Sequence, residues 1–462
     1  MKKKKVLIII AVIIALLVGG IVYAYFATDL FKTDKEIFLS YLGKEETWEN
    51  FSSEKELDQY YEKMLKTPFK QNGEISLKVE SDSDNESELE YINNSTIKFE
   101  GKVDNQKNKL EEKVTLQTSV GVDIPVTIKR DDDTYGIYSK LLNDKYIAIR
   151  NENLKALAEK LEIDSEDIPD KIEIFGTKPT KEDIKTIKND IAKVFEEKLT
   201  DEMFTSEDID DSNVITLKIT DAQIFDLIKG ICEELKDNET VQKLIAKDMY
   251  DQYQSTMSDV INSIDKEDKS NDIIEMKLYI KAKKVTKLEM VDQETKEAII
   301  LENIENKTTI KFKDEDQVYV EFTIEKTKST DSLVYTYTMK GYSNSDVEEA
   351  SIIVTYKNLK DINNIESTVA IKVDGINPAE MYERNDYSDS EYDDTDDFLL
   401  DEDIINRSYD NSFKFEMNIN NKTEFDENIT FDEFNTDNSI IINDASIEEI
   451  EEILSNMYKN EF

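Results

Sequence analysis

Residues 273–281 read IIEMKLYIK, residues 317–325 read QVYVEFTIE, and residues 333–339 read LVYTYTM. Each alternates apolar and polar side chains with a period of two, as a strand does when it buries one face. Met276, Leu278 and Ile280 share a face, as do Val318, Val320, Phe322 and Ile324, and then Tyr335, Tyr337 and Met339. Lys277, Lys281, Glu321 and Glu325 fall on the opposite face. The alternation persists from Ile273 to Val373 and predicts a meander of about eight strands. A sheet with one apolar face must cover it, and helical periodicity over Asp183–Phe204 and Thr220–Ile264, just upstream, offers the cover. The expected globular fold is α+β, antiparallel β-meander sheets packed against amphipathic helices.

Alternation also dominates 73–150, through Ile75, Leu77 and Val79, then Ile97 and Phe99, Val114 and Leu116, and Val126 and Ile128. Three places turn from a short strand directly into an amphipathic helix. They are Tyr146–Ile149 followed by Asn151 and Leu154, Ile215–Ile219 followed by Thr220 and Gln223, and Ile440–Ile442 followed by Ser446 and Glu449. In the last two a hydroxyl three residues before Gln or Glu forms a capping box, worth about 0.5–2 kcal/mol. Between 35 and 66, Phe38, Leu39, Leu42, Leu57, Tyr60, Tyr61, Met64 and Leu65 recur at three and four, which predicts two short helices. Only 5 Pro and 11 Gly interrupt the chain, so long regular elements are expected. The stretch 383–410 crowds acids such as Asp393, Asp394, Asp396 and Asp397 and reads as an acidic loop.

At the amino terminus Lys2–Lys5 precede an unbroken apolar run, Val6–Ala27. At about 1.5 Å per residue such a run can cross a hydrocarbon core of roughly 30 Å, so a transmembrane helix and an uncleaved signal anchor are expected. Tyr23, Tyr25 and Phe26 suit an interfacial belt, and the lysine flank places the amino terminus inside. The expected organisation is a cytoplasmic tail 1–5, a membrane helix 6–27, a helical stalk or cap 28–70, a first α+β unit 71–205 and a second 206–462. Single-pass cell-membrane localisation follows, with the carboxy-terminal domain extracellular.

The chain carries 103 Asp and Glu against 58 Lys and Arg, a formal net charge of −45. Such a surface lacks the cationic footprint that nucleic acid requires. There is no His, which removes Ser-His-Asp and Cys-His catalysis and the His-based zinc motifs together. No GxGxxG or GxxxxGK[ST] occurs, so no cofactor is expected. The single Cys232 lies in a helical apolar pattern and reads as a small buried hydrophobe rather than a nucleophile. Asp131, Asp133 and Gly136 imitate the start of a calcium loop, yet Tyr135 and Leu142 stand at its fifth and twelfth places, so no metal site is expected.

The string FATDLFKTDKEIFLSYLGK, residues 26–44, together with the lysine run and apolar segment before it, resembles uncharacterised single-pass extracytoplasmic proteins of low-GC Gram-positive bacteria. That resemblance implies an envelope protein and supplies no active-site residues. A long meander closing over helices is also similar in outline to lipoprotein carriers, whose apolar cleft holds acyl chains, a likeness of fold alone.

These readings favour a non-catalytic protein that binds an apolar ligand, a peptide or an envelope partner, with a membrane, a lipid or a protein as neighbour. Tyr335, Tyr337 and Met339 are the candidate cleft residues, because aromatic and thioether groups fill irregular apolar space. A carboxylate-dependent hydrolase of cell-wall polymers is the alternative, and a structural or regulatory envelope subunit is a third.

Overall fold

The structure is a computed structural model that describes residues 33–374 and 413–459, apart from 43–46, 48, 52–53, 82–85, 162, 164–167, 169–170, 172–179, 246–248, 267–269 and 344–345. From the first described residue the order is α1 (Asp34–Leu42), α2 (Lys55–Lys66), β1 (Phe69–Ser81), α3 (Glu86–Asn93), β2 (Thr96–Asp104), β3 (Lys109–Gln117), β4 (Asp123–Asp131), β5 (Thr134–Tyr138) and β6 (Tyr146–Arg150). There follow α4 (Leu154–Lys160), α5 (Lys181–Lys198), β7 (Phe204–Ile209), β8 (Ser212–Thr220), α6 (Asp221–Lys236), α7 (Glu239–Leu244) and α8 (Tyr250–Lys266). Eight strands then succeed one another: β9 (Ile273–Lys281), β10 (Lys284–Asp292), β11 (Ala298–Ile304), β12 (Lys307–Asp314), β13 (Gln317–Lys328), β14 (Ser332–Ser343), β15 (Asp346–Lys357) and β16 (Asn364–Asp374). The chain ends with β17 (Phe413–Phe425), β18 (Ser439–Ile441) and α9 (Ile447–Lys459).

Two compact units share these elements. One takes the chain up to Ser52 and Glu173–Glu325, the other Ser53–Ile172 and Lys326 onward. In the first, β7 to β12 run antiparallel in sequence order wherever their registers are described, and Met276, Leu278 and Ile280 turn inward as alternation requires. Helices α1, α5 and α6 cover that face, with Phe38, Leu42, Phe195, Ile224 and Leu227 in one core with the strands. The Phe38 ring meets that of Phe204 edge-on at 5.4 Å. Lys35 adds a polar tie, donating from Nζ to the Glu196 carbonyl at 2.9 Å near the carboxy end of α5, where unpaired carbonyls favour a cation.

Capping boxes start two of these helices. The Gln223 amide donates to Thr220 Oγ1 at 3.3 Å while Gln223 Oε1 accepts from the Thr220 amide at 2.9 Å. Thr180 and Asp183 do the same for α5. The Lys243 ammonium beside Asp183, helped by the Thr180 hydroxyl and amide, holds its carboxyl down to about 2 from an ordinary 3.8. A lowered carboxyl stabilises the fold above its unfolded value and loses that contribution on protonation. The melting temperature is therefore expected to fall as pH drops from 3.8 towards about 2. Asp183→Asn should flatten that part of the profile, and identical slopes for the two proteins would sink the assignment.

In the second unit the registers give a sheet ordered β14-β15-β16-β17-β1-β2-β3-β4-β5-β6-β18. Every pair is antiparallel except β6 with β18. β1 sits near the middle because it pairs along all 13 of its residues with β17, a strand far away in sequence. Helix α2 lies on the β14–β17 end, where Leu57 and Tyr60 form a core with Leu333, Tyr335, Leu359 and Ile365. Glu54, at the start of α2, pairs with Lys326 at 2.5 Å and Lys328 at 2.8 Å. Tyr60 Oη donates to Thr423 Oγ1 at 2.8 Å, so this buried hydroxyl is satisfied. Two strand-to-helix turns meet at the opposite end of this sheet, since β6 and β18 lie parallel and Asn443 donates to the carbonyls of Arg150 and Glu152.

These findings correct the expected architecture. Among the described residues the chain forms 18 strands, mostly paired antiparallel, with few helices, in place of the expected α+β domain. Among the described residues no helix is long and apolar enough to cross a membrane. The longest, α5, has 18 residues, ten of them charged. The expected membrane segment 6–27, the tail 1–5 and the acidic stretch 383–410 lie outside the described residues. The single-pass anchor and the cell-membrane localisation drawn from that segment are without support. Hydropathy registers only that a run is apolar, not what that run packs against.

Candidate binding cleft

Alternation gives the second sheet two unlike faces. On one, Ile75 of β1 stands between Ile97 of β2 and Ile419 of β17, and Leu77 stands beside Met417. On the other, a row crosses six strands as Lys113, Glu100, Asn72, Lys422, Glu366 and Lys357. The next row on that face reads Thr115, Lys98, Glu74, Asn420 and Thr368. Both rows line a cavity of about 820 Å³. Its four lysines, at 98, 113, 357 and 422, match four carboxylates, at Glu74, Glu100, Glu366 and Asp123, so it is locally neutral on a strongly acidic chain.

Two exposed pairs engage these lysines, one with Glu100 in the lining and one with Glu424 outside it. Lys113 lies 3.8 Å from Glu100 and Lys422 lies 2.8 Å from Glu424, both pairs well exposed. Exposed pairs of this kind contribute about 0–1 kcal/mol, so a ligand can exchange them at small cost. Gly73 lies between the rows, with the Phe99 ring over it. A Cβ at 73 would stand 2.0 Å from the Asn420 carbonyl oxygen and 2.4 Å from that ring.

A second cavity of about 730 Å³ shares Asn72, Glu100 and Lys113 with the first and reaches Thr127, Tyr138 and Tyr146. The connection between β17 and β18 walls it, with Asp437 and Asn438 in the lining. That connection is fastened by Lys102 Nζ donating to the Thr430 carbonyl at 2.9 Å and Lys145 Nζ to that of Thr436 at 2.6 Å. Beneath it Lys129 is 2% exposed, its ammonium 4.6 Å from the Phe434 ring centre and 5.2 Å from that of Tyr146. Burial lowers the Lys129 pKa, while Glu111 and Asp432 nearby favour its charge, and the two ring faces add cation–π attraction. Gly136 lets the Phe434 ring settle, since a Cβ there would meet it at 2.7 Å.

Tyr335, Tyr337 and Met339 stand together on β14, on the apolar face. Tyr335 is 6% exposed beneath α2 and stacks on Tyr337 at 6.2 Å, and burial pushes its hydroxyl up to about 12. Met339 at the far end is 49% exposed. Neither cavity includes any of the three. Asp131 and Asp133 flank the β4–β5 hairpin turn, where Asp132 has φ 54°, and they pair with Lys109 at 3.0 Å and Lys171 at 2.9 Å. Among the described residues no group of three potential ligands could hold a metal ion. Cys232 is half-buried on α6, and burial raises its thiol pKa, which leaves less thiolate to act as a nucleophile.

Glu112 is the one described carboxyl whose resolved shift is upward, from burial, opposed by a hydrogen bond from Gln71 Nε2 at 3.1 Å. It lies on β3 between Glu111 and Lys113 and so faces away from the cleft. The cleft itself escaped sequence reading because each of its residues looks like the wet side of an ordinary strand.

No family model matches the chain, and no curated protein matches it. The crystal structure of OccK3 (OpdO) from Pseudomonas aeruginosa matches at 6% identity over 80% of this chain and 99% of that one, with a TM-score of 0.15. A likeness at that level carries no structural weight.

Proposed function

We propose that this protein is a binding protein and that its ligand is an extended peptide of mixed charge held in the cleft on the polar face of the second sheet. The observation that carries this reading is the lining of the first cavity, where matched lysines and carboxylates alternate with Asn72, Asn420, Thr115 and Thr368. Amide and hydroxyl groups complement a peptide backbone, and charges of both signs complement its side chains. An acyl chain would gain little from such walls. Among the described carboxyls the one whose pKa burial raises, Glu112, is turned to the other face and so offers no general acid to the cleft.

Titration calorimetry of the full chain with a twelve-residue peptide alternating Lys, Ser, Glu and Thr tests the reading. Saturable binding is expected, weakening as salt rises from about 0.05 to 0.5 M because exposed charges are screened. Reversing Lys357 and Lys422 to Glu should weaken it about tenfold, the equivalent of about 1.4 kcal/mol. Hydrolysis of a cell-wall polymer by the wild type, lost on Glu112→Gln, would overturn the reading in favour of an enzyme.

A further inference from the structure

The two cavities meet at Asn72, Glu100 and Lys113, which line both. Together their linings span β15, β16, β17, β1, β2, β3, β4, β5 and β6 of one sheet, with the charged and tyrosine residues named above on its polar face. Eight strand spacings of about 4.8 Å make roughly 38 Å, the length of an extended peptide of about twelve residues at about 3.3 Å each.

The two ends differ. At the β15 end the walls are Lys357, Glu366 and Thr368. At the β6 end stand Tyr138 and Tyr146, with ring centres 5.4 Å apart and planes at 44°. The Tyr146 ring is fixed from three directions, by Lys129, by the Phe434 ring edge-on at 5.7 Å and by Tyr138. A preordered aromatic pair at the end of an otherwise polar groove offers stacking area at little entropic cost.

We propose that both cavities form one continuous groove, that its peptide ligand lies across the strands, and that Tyr138 and Tyr146 form its specificity subsite for an aromatic side chain near one end of the peptide. This rests on the peptide-binding reading above and assigns that ligand a length, a direction and an anchor. The connection from Asp426 to Asn438 forms the wall beside the anchor, held by Lys102, Lys145 and the seat of Phe434 over Gly136.

The test uses the full chain and four fluorescein-labelled peptides, of six and twelve residues, alternating Lys, Ser, Glu and Thr, each with and without one terminal Trp. The twelve-residue peptide with Trp is expected to bind at least about tenfold more tightly than the other three. Tyr138→Ala should remove the gain from Trp alone, and Tyr138→Phe should keep it, with thermal melts showing that both variants are folded. Lys357→Glu should weaken the twelve-residue peptides and spare the six-residue peptide with Trp. Equal affinity for all four peptides would overturn the continuous groove and its anchor while leaving peptide binding intact. Binding of a linear neutral oligosaccharide in place of every peptide, or of no probe at all, would overturn both.

Discussion

Gly73→Val is expected to disrupt the second unit at its centre. A Cβ at this position would stand 2.0 Å from the Asn420 carbonyl oxygen and 2.4 Å from the Phe99 ring. The ring can swing aside, but the carbonyl belongs to β17 and cannot move without opening the β1–β17 ladder. Forced overpacking typically costs about 1–3 kcal/mol, and this value should be exceeded because backbone rather than side chain must yield. Peptide binding should fail with stability, since β1 carries Asn72 and Glu74 into the cleft. Asn72→Ala is the companion variant, expected to weaken binding and leave the melting temperature nearly unchanged. A Gly73→Val protein with wild-type melting and binding would show that the two strands do not approach as described.

Phe38→Ala should be the most destabilising single change in the first unit. Phe38 is fully buried on a helix of nine residues, and such a helix is too short to persist without packing. Truncating a buried Phe costs about 3–5 kcal/mol, through lost transfer energy and the cavity left behind. Urea unfolding followed by far-ultraviolet circular dichroism would measure it. If the two units unfold separately, the transition of the first should move and that of the second should stay. A loss below about 1 kcal/mol would mean that α1 does not hold this core together.

Much of the local structure was legible in the sequence. The alternation of Met276, Leu278 and Ile280 marks β9, and eight strands do lie between Ile273 and Asp374. Thr220 with Gln223, and Ser446 with Glu449, announce the starts of α6 and α9, because a cap needs only residues three apart. Period and cap are local, so they survive in a one-dimensional reading. In the described structure sheet dominates and every helix is amphipathic or short.

The cleft belonged to the other kind of information. Lys113, Glu100, Asn72, Lys422, Glu366 and Lys357 are scattered over six separate strands and are indistinguishable one by one from solvated strand residues. They become a row only when β17 lies against β1 and β16 against β17, and that register is chosen by apolar partners on the opposite face, Ile75 with Ile419 and Ile419 with Val369. Tyr335 shows the converse, since alternation placed it on an apolar face while only the seating of α2 made it core. The sequence by itself determined which residues share a face, because side-chain direction follows from the two-residue period of the backbone. Which faces meet, which are covered and where a cleft opens depend on pairings between distant strands, whose energies arise only once the whole sheet has assembled.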